Sequence, residues 1–333
     1  MSEILVEEYR GGILENVHKG RICVVDDSGR VIYKVGDPRK FTFYRSSSKP
    51  LQVLPILVRG LDKKYGLTGP ETTIMAGSHS GEFIHAGVLE SLLAKTGLAE
   101  DDLIMKPVLP FNEEHRSHLI RHNLPPRKIY HNCAGKHIAL MMLSRELGAD
   151  HRTYWKPDSP AQQEILQYIS YLSDYASDKV GVGIDGCGVP VFAVPLQGIA
   201  NAYGKFACPD TVSDINIRAA ITRMAELISE NPYMMRGHGF LCGEFNLDRN
   251  VVAKGGAKGV YGFGLKRERL GIALKIEDGT EEAWPLIIAR ILEQLEYPHQ
   301  QTMEILSGLA PEYLLNDNKT VVGERRAVFK LVP

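Results

Sequence analysis

The chain has 333 residues, room for two ordinary domains or one large α+β unit, and enough to bury most of its apolar surface without disulfide staples. Hydrophobic residues make up 44% and charged ones 24%, and 39 Lys and Arg against 40 Asp and Glu leave a formal charge of −1, which excludes a polyanion-coating protein and argues against a nucleic-acid partner. Five scattered cysteines read as reduced thiols, and the absence of a basic-then-apolar leader or of any run of about 18 apolar residues makes a cytoplasmic protein with no membrane span the expectation.

Ile4–Tyr9, Arg21–Val25 and Val31–Val35 are short β-rich runs, the last two separated by the hairpin-turn sequence Asp26-Asp27-Ser28-Gly29. Phe41–Tyr44 is an extended aromatic lead-in. From Lys49-Pro50 the apolar period becomes helical (Leu51, Leu54, Leu57, Val58), with a kink expected at Pro55. Helices are predicted over Ile84–Lys95, over His137–Leu147, from the capping sequence Ser159-Pro160-Ala161-Gln162 to about Tyr171, and over Ile215–Ser229. Val180–Ile184 and Val191–Leu196 are β-rich runs on either side of the tight sequence Asp185-Gly-Cys-Gly188. Three strands follow (Val251–Lys254, Gly259–Leu265, Gly271–Ile276), then a helix over Glu281–Leu295 and a last strand over Val321–Leu331. Strands at both ends and helices between them predict an α+β fold, with a mostly antiparallel sheet from both chain termini packed against a central helical region. The reading is one compact catalytic unit over residues 1–333, its sheet part from about 1–45 and 245–333 and its helical part from about 46–244.

Ser46 and Lys49 are three residues apart at the expected start of a helix, hence on one face. Ser-x-x-Lys sets a nucleophile beside an amine able to take its proton. To act near pH 7 that amine must fall from about 10.4 to roughly 7–8, at a cost near 4 kcal/mol; burial and a second lysine are the usual means. The plain alternative is a serine N-cap cluster beside a solvated lysine. Ala76-Gly77-Ser78-His79-Ser80-Gly81-Glu82 is read as following an extended run and opening a helix, and Lys254-Gly255-Gly256 lies on a predicted strand whose glycines let something approach the backbone. The order Ser-x-x-Lys, Ser-x-Ser, Lys-Gly-Gly parallels the layout of serine β-lactamases and penicillin-binding proteins, without the Asn and Thr of their second and third motifs.

Cys133, Lys136 and His137 share a helix face. Three readings of Cys133 compete: a helix-end nucleophile, a metal ligand with Cys187, Cys242 or a histidine, for which the absence of a Cys-x-x-Cys pair leaves only a weak spacing signal, or a small buried residue. Asp185 is either a turn residue or a substrate contact. His115, His118 and His122 lie on one face of a strongly polar segment, as expected of a solvated surface helix, and no Gly-x-Gly-x-x-Gly follows the first strands, so no nucleotide cofactor is indicated.

Taken together, Arg45-Ser-Ser-Ser-Lys-Pro50, Gly77-Ser-His-Ser-Gly-Glu82, His131-Asn-Cys-Ala-Gly-Lys-His137, Asp185-Gly-Cys-Gly-Val-Pro190 and Lys254-Gly-Gly-Ala257 resemble the Rhizobium etli-type L-asparaginase family over about residues 10–330. The resemblance implies hydrolysis of L-asparagine to L-aspartate and ammonia, a fold related to the serine β-lactamases, and a homodimer. It also implies two Ser-Lys tandems, Ser46 with Lys49 and Ser78 with Lys254, and a zinc held by two cysteines and a lysine. Cys133 and Lys136 match that zinc motif; Cys242 is the candidate third ligand. Lys258 stands where the resemblance leads one to expect an acid. On this reading Ser46 attacks the side-chain amide, Lys49 takes its proton, and Lys254 with Ser78 relays a proton to ammonia. Arg45, Ser80, Asp185 and Gly256 are then the substrate contacts, Asp185 for the α-ammonium and Gly256 beside the oxyanion. Two other classes compete: a zinc amidohydrolase centred on Cys133, and a non-catalytic amino-acid- or β-lactam-binding protein. Selectivity between asparagine, glutamine and related amides is left open, because one methylene is worth only about 1–3 kcal/mol.

Overall fold

A long hairpin opens the chain. β1 (Glu3–Arg10) and β2 (Ile13–Val25) turn at Gly11 and Gly12, and β3 (Val31–Val35) pairs with the second half of β2 across the Asp26–Gly29 turn. After β4 (Phe41–Phe43) the chain leaves this sheet; it makes β5 (Gly181–Ile184) and β6 (Pro190–Pro195) in the middle, then β7 (Val251–Gly256), β8 (Val260–Leu265), β9 (Leu270–Ile276), β10 (Tyr313–Leu315) and β11 (Val321–Ala327). In the computed structural model, which describes residues 1–333, the main sheet runs β10-β11-β1-β2-β9-β8-β7 with every pairing antiparallel. The two chain termini are thus joined edge to edge, β1 to β11 and β2 to β9. This is the α+β architecture that the strand distribution predicts. β2 starts eight residues before the expected Arg21, because Ile13–Asn16 lie in an exposed arm of the hairpin where no core imposes alternation.

The chain segments interleave more than the reading of two parts allows. β4, β6 and β5 form a second, three-stranded sheet of which two strands fall inside residues 46–244. The helices Trp284–Gln294 and Gln300–Leu309 fall inside residues 245–333. A single apolar core of 83 buried residues runs from the main sheet into the helices. Three helices of two turns or more were not expected: Gly69–Ala76, Leu196–Ala207 and Gln300–Leu309. In Leu196–Ala207 two glycines lower helix propensity, and the helix is held by its closeness to the sheet at Gly271, where an added Cβ would sit 2.1 Å from the Ala200 carbonyl. The Glu113–Arg121 helix forms as expected, yet its His115 is not solvated; it is buried, stacks on Phe83, and its Nδ1 lies 2.7 Å from the Gly81 carbonyl. No helix is long and apolar enough to cross a membrane.

Candidate active site

β4 leads into a tight 3₁₀ turn, Arg45–Ser48, which runs directly into the helix Lys49–Val58. Arg45 takes the left-handed conformation (φ +50°) and is held there by Asp185, 2.8 Å from Nη2 and 2.9 Å from Nε. The Ser47 hydroxyl donates to the Tyr44 carbonyl at 2.6 Å, and the Tyr203 hydroxyl, from the helix lying on the main sheet, donates to the Ser47 carbonyl at 2.7 Å. β7 closes the other side: a Cβ on Gly256 would lie 2.5 Å from the Tyr44 carbonyl and 3.0 Å from the Ser47 nitrogen, so only glycine fits. Ser47, Ser48 and Lys49 are buried; Ser46 alone of the serine run is left half-exposed.

The Lys49 ammonium sits in a cage of three acceptors, the Gly77 carbonyl at 2.7 Å, the Ser78 hydroxyl at 2.9 Å and the Asn132 carbonyl at 3.0 Å. Burial, helped by the charges of Lys136 and Lys254 and opposed by the Cys133 and Cys187 sulfurs, pulls its pKa down to about 8. The hydroxyl bonded to this lysine is therefore that of Ser78, whereas the resemblance pairs Lys49 with Ser46. The second expected pair is not a hydrogen bond either: the Lys254 amine donates to its neighbour's carbonyl, Gly255, at 2.6 Å and lies 3.9 Å from Cys242 Sγ. Lys254 is also buried, and its pKa is lowered chiefly for that reason. The Ser78 loop follows the helix Gly69–Ala76, capped by Thr68 and Glu71, and not an extended run. It is laid along residues 235 and 236, Ser78 N donating to the Met235 carbonyl and Ser80 N to the Arg236 carbonyl.

Ser46, Ser78, Asn132, Lys254 and Gly256 line one small chamber of about 150 Å³. A larger groove of about 750 Å³, under the two C-terminal helices, has no lysine, cysteine or histidine in its walls. Of the four expected substrate contacts only Gly256 reaches the chamber. Arg45 and Asp185 are engaged with each other, and Ser80 is fully buried with its hydroxyl on Glu82 at 3.2 Å. Lys258 sits exposed in the β7–β8 turn, away from the chamber walls.

Beneath the chamber lies a sulfur cluster. Cys133 precedes the helix Ala134–Glu146, and Lys136, one turn on, donates to Cys187 Sγ at 3.2 Å. The neighbouring Cys187, with the Lys49 and Lys136 charges, holds the Cys133 thiol well below its ordinary range despite burial, and Cys187 is pushed up by the same proximity. Burial pushes Lys136 down, but the two sulfurs and Asp185 outweigh it. Cys242, the expected partner of Cys133 and Lys136, is elsewhere, accepting from Gly255 N at 3.2 Å on the chamber wall. The reason is topological: the turn between β5 and β6 carries Cys187 to Lys136, while Cys242 follows the 235–239 loop to β7.

Arg236, Glu281 and Trp284 also line the chamber and were missed by sequence reasoning. Arg236 belongs to no recognisable motif, and Glu281 is noticeable only as the opening residue of a predicted helix. Asn132 lies within the Cys133 motif, but its contribution is a backbone carbonyl, which residue type cannot announce.

The model of the family described as L-asparaginase II matches residues 6–327. The chain belongs to that family. As a member of the L-asparaginase II family it is an amidohydrolase whose substrate is a small-molecule amide. No protein of curated function matches it in sequence. Among solved structures it is similar to Mglu (14% identity, TM-score 0.48, 83% of this chain and 67% of that one) and to a β-lactamase from Mycobacterium bovis (14%, 0.45, 83% and 94%). A Bacillus glutaminase is also similar (12%, 0.40, 83% and 91%).

Proposed function

We propose that this L-asparaginase II family member hydrolyses L-asparagine to L-aspartate and ammonia through a serine acyl-enzyme. The observation that carries the reading is Lys49: a buried amine, titrating near 8, hydrogen-bonded to a serine on the wall of a chamber about the size of one amino acid. Ser46, whose side chain makes no hydrogen bond, attacks the amide carbon, and its proton passes to neutral Lys49, with the Ser78 hydroxyl as the bonded intermediary. The tetrahedral oxyanion is met by backbone N–H groups at Ser46 and beside Gly256. The C–N bond then breaks as the protonated Lys49 returns its proton through Ser78 to the leaving nitrogen, giving ammonia. Water adds to the ester by the same route and releases the acid. Lys254 acts through its charge, which disfavours a charged Lys49.

The test is ammonia release from a panel of amides. L-asparagine is expected to be the best substrate and L-glutamine weaker by roughly 10–200-fold, the range one misplaced methylene allows. Equal turnover of both, or none of either, overturns the assignment.

For zinc, the fitting donor set is Cys133, Lys136 and Cys187: two sulfurs and an amine nitrogen, ligand types that zinc accepts, already converged and buried. No three His, Cys, Asp or Glu side chains are placed to hold a metal ion, so the lysine is needed to complete the set. Zinc there would supply a fixed positive charge and a rigid tie between the Cys133 helix and the β5–β6 turn. These residues stand behind the chamber, and the proton steps above run through Lys49 and Ser78. Metal analysis of the purified protein is expected to find one zinc per chain, lost in Cys187→Ala and retained in Cys242→Ala; the reverse pattern reassigns the third ligand. For assembly we propose a homodimer, on the family resemblance.

A further inference from the structure

Arg236 stands where three hollows meet: the 150 Å³ chamber, a vestibule of about 560 Å³ that also borders Phe240 and Trp284, and a third of about 480 Å³ beside Tyr130 and His131. Its guanidinium lies over two phenyl rings that pack against each other, 5.2 Å from the centre of Phe111 and 5.0 Å from that of Phe240, the two centres being 5.9 Å apart. One donor is used, Nη1 to the Ser78 carbonyl at 3.2 Å, and no carboxylate comes within 4 Å. Arginine carries five N–H donors and cannot discharge, so this half-buried guanidinium, with one donor used and no anion beside it, has donors left to bind one. The other cations of the site are not free in this way: Lys49 and Lys254 have their nitrogens on backbone carbonyls and the Ser78 hydroxyl, and Arg45 is paired with Asp185. Arg236 is the unpaired cation of the chamber, and a planar fork suits a carboxylate.

We propose that Arg236 anchors the α-carboxylate of the substrate and makes the enzyme selective for amides of amino acids whose carboxylate is free. The inference rests on the amidohydrolase reading above for its substrate. Contact with the two rings limits the orientation of the fork, and the bond to the Ser78 carbonyl ties it to the loop that carries Ser78. A carboxylate docked there is thereby set at a constant reach from the reacting hydroxyls. Glu281 shares the chamber wall and repels an anion, which leaves Arg236 as the group that attracts one. The selectivity this produces is against α-esters, α-amides and peptide-linked asparagine, which lack the charge.

Steady-state kinetics on L-asparagine and on L-asparagine methyl ester tests it, with wild type, Arg236→Ala and Arg236→Lys. Arg236→Ala is expected to raise KM for the acid by roughly 10–150-fold, the worth of a hydrogen-bonded charge pair, with kcat within a few-fold and KM for the ester unchanged. Arg236→Lys restores part of the loss, as a point charge without the fork. A KM that rises equally for acid and ester, or for neither, overturns the proposal. If wild type releases no ammonia from asparagine the amidohydrolase reading falls, and the anchor is then judged by calorimetry with L-aspartate and its α-methyl ester. Binding of the acid that Arg236→Ala abolishes upholds it; binding by neither protein, or equally by both, overturns it.

Discussion

Lys49→Met is expected to lower kcat for L-asparagine by at least about 10³-fold while the protein stays folded, because it removes the only buried amine bonded to a chamber serine. The wild-type pH profile carries the same claim. A base with a pKa of about 8 is roughly one-eleventh neutral at pH 7 and ten-elevenths neutral at pH 9, so kcat/KM rises about tenfold between them. A flat profile over that range removes Lys49 as the base.

Stability supplies a second measurement on the same residue. The folded pKa of Lys49 lies below its unfolded value of about 10.4, so the unfolded chain binds the extra proton between about pH 8 and 10.4. The contribution is full above 10.4 and is lost as pH falls through 8. Relative to Lys49→Met, the wild type therefore gains about 3 kcal/mol of unfolding free energy as pH rises across that window. If urea titrations show no such divergence, the amine is not desolvated and the kinetic argument fails with it.

The second large effect separates the two serines. Ser46→Ala is expected to abolish turnover, a loss of at least about 10³-fold, because no acyl-enzyme can form. Ser78→Ala is expected to cost about 10²–10³-fold and to deform the rise near pH 8, since the hydroxyl that connects Lys49 to the chamber is gone. Mass spectrometry of acid-quenched reactions reads the attacking atom directly. An aspartyl adduct on the peptide containing Ser46 upholds the assignment. An adduct on the Ser78 peptide exchanges the roles of the two hydroxyls, an arrangement the 2.9 Å bond between Lys49 and Ser78 makes a serious competitor.

Ser46 and Lys49, and Cys133 and Lys136, were legible as near neighbours because each pair spans one helical turn, but that spacing did not supply their partners: Lys49 bonds Ser78 and Lys136 bonds Cys187. Lys254-Gly255-Gly256 was legible because paired glycines on a strand mark close approach, and Gly256 does meet the Tyr44 carbonyl. The Leu196–Ala207 helix was hidden because Gly198 and Gly204 lower local propensity, while the close packing that holds it, against Gly271, comes from a strand far along the chain. His115 read as solvated because its neighbours along the chain are polar, while Phe83 and Gly81, which cover it, come from another helix and loop.

What the amino-acid sequence determined by itself is the inventory of reactive groups, the family, and an antiparallel sheet drawn from both ends of the chain, since these follow from residue type, motif order and periodicity within short windows. The tertiary structure alone decided which lysine meets which serine, that Cys187 and not Cys242 joins Cys133 and Lys136, and that Asp185 is taken by Arg45 while Arg236 stands free in the chamber. Those pairings depend on the paths of loops between distant elements, and at three to four ångströms a charge or a hydroxyl responds to whatever the fold brings beside it, however far away it lies in sequence.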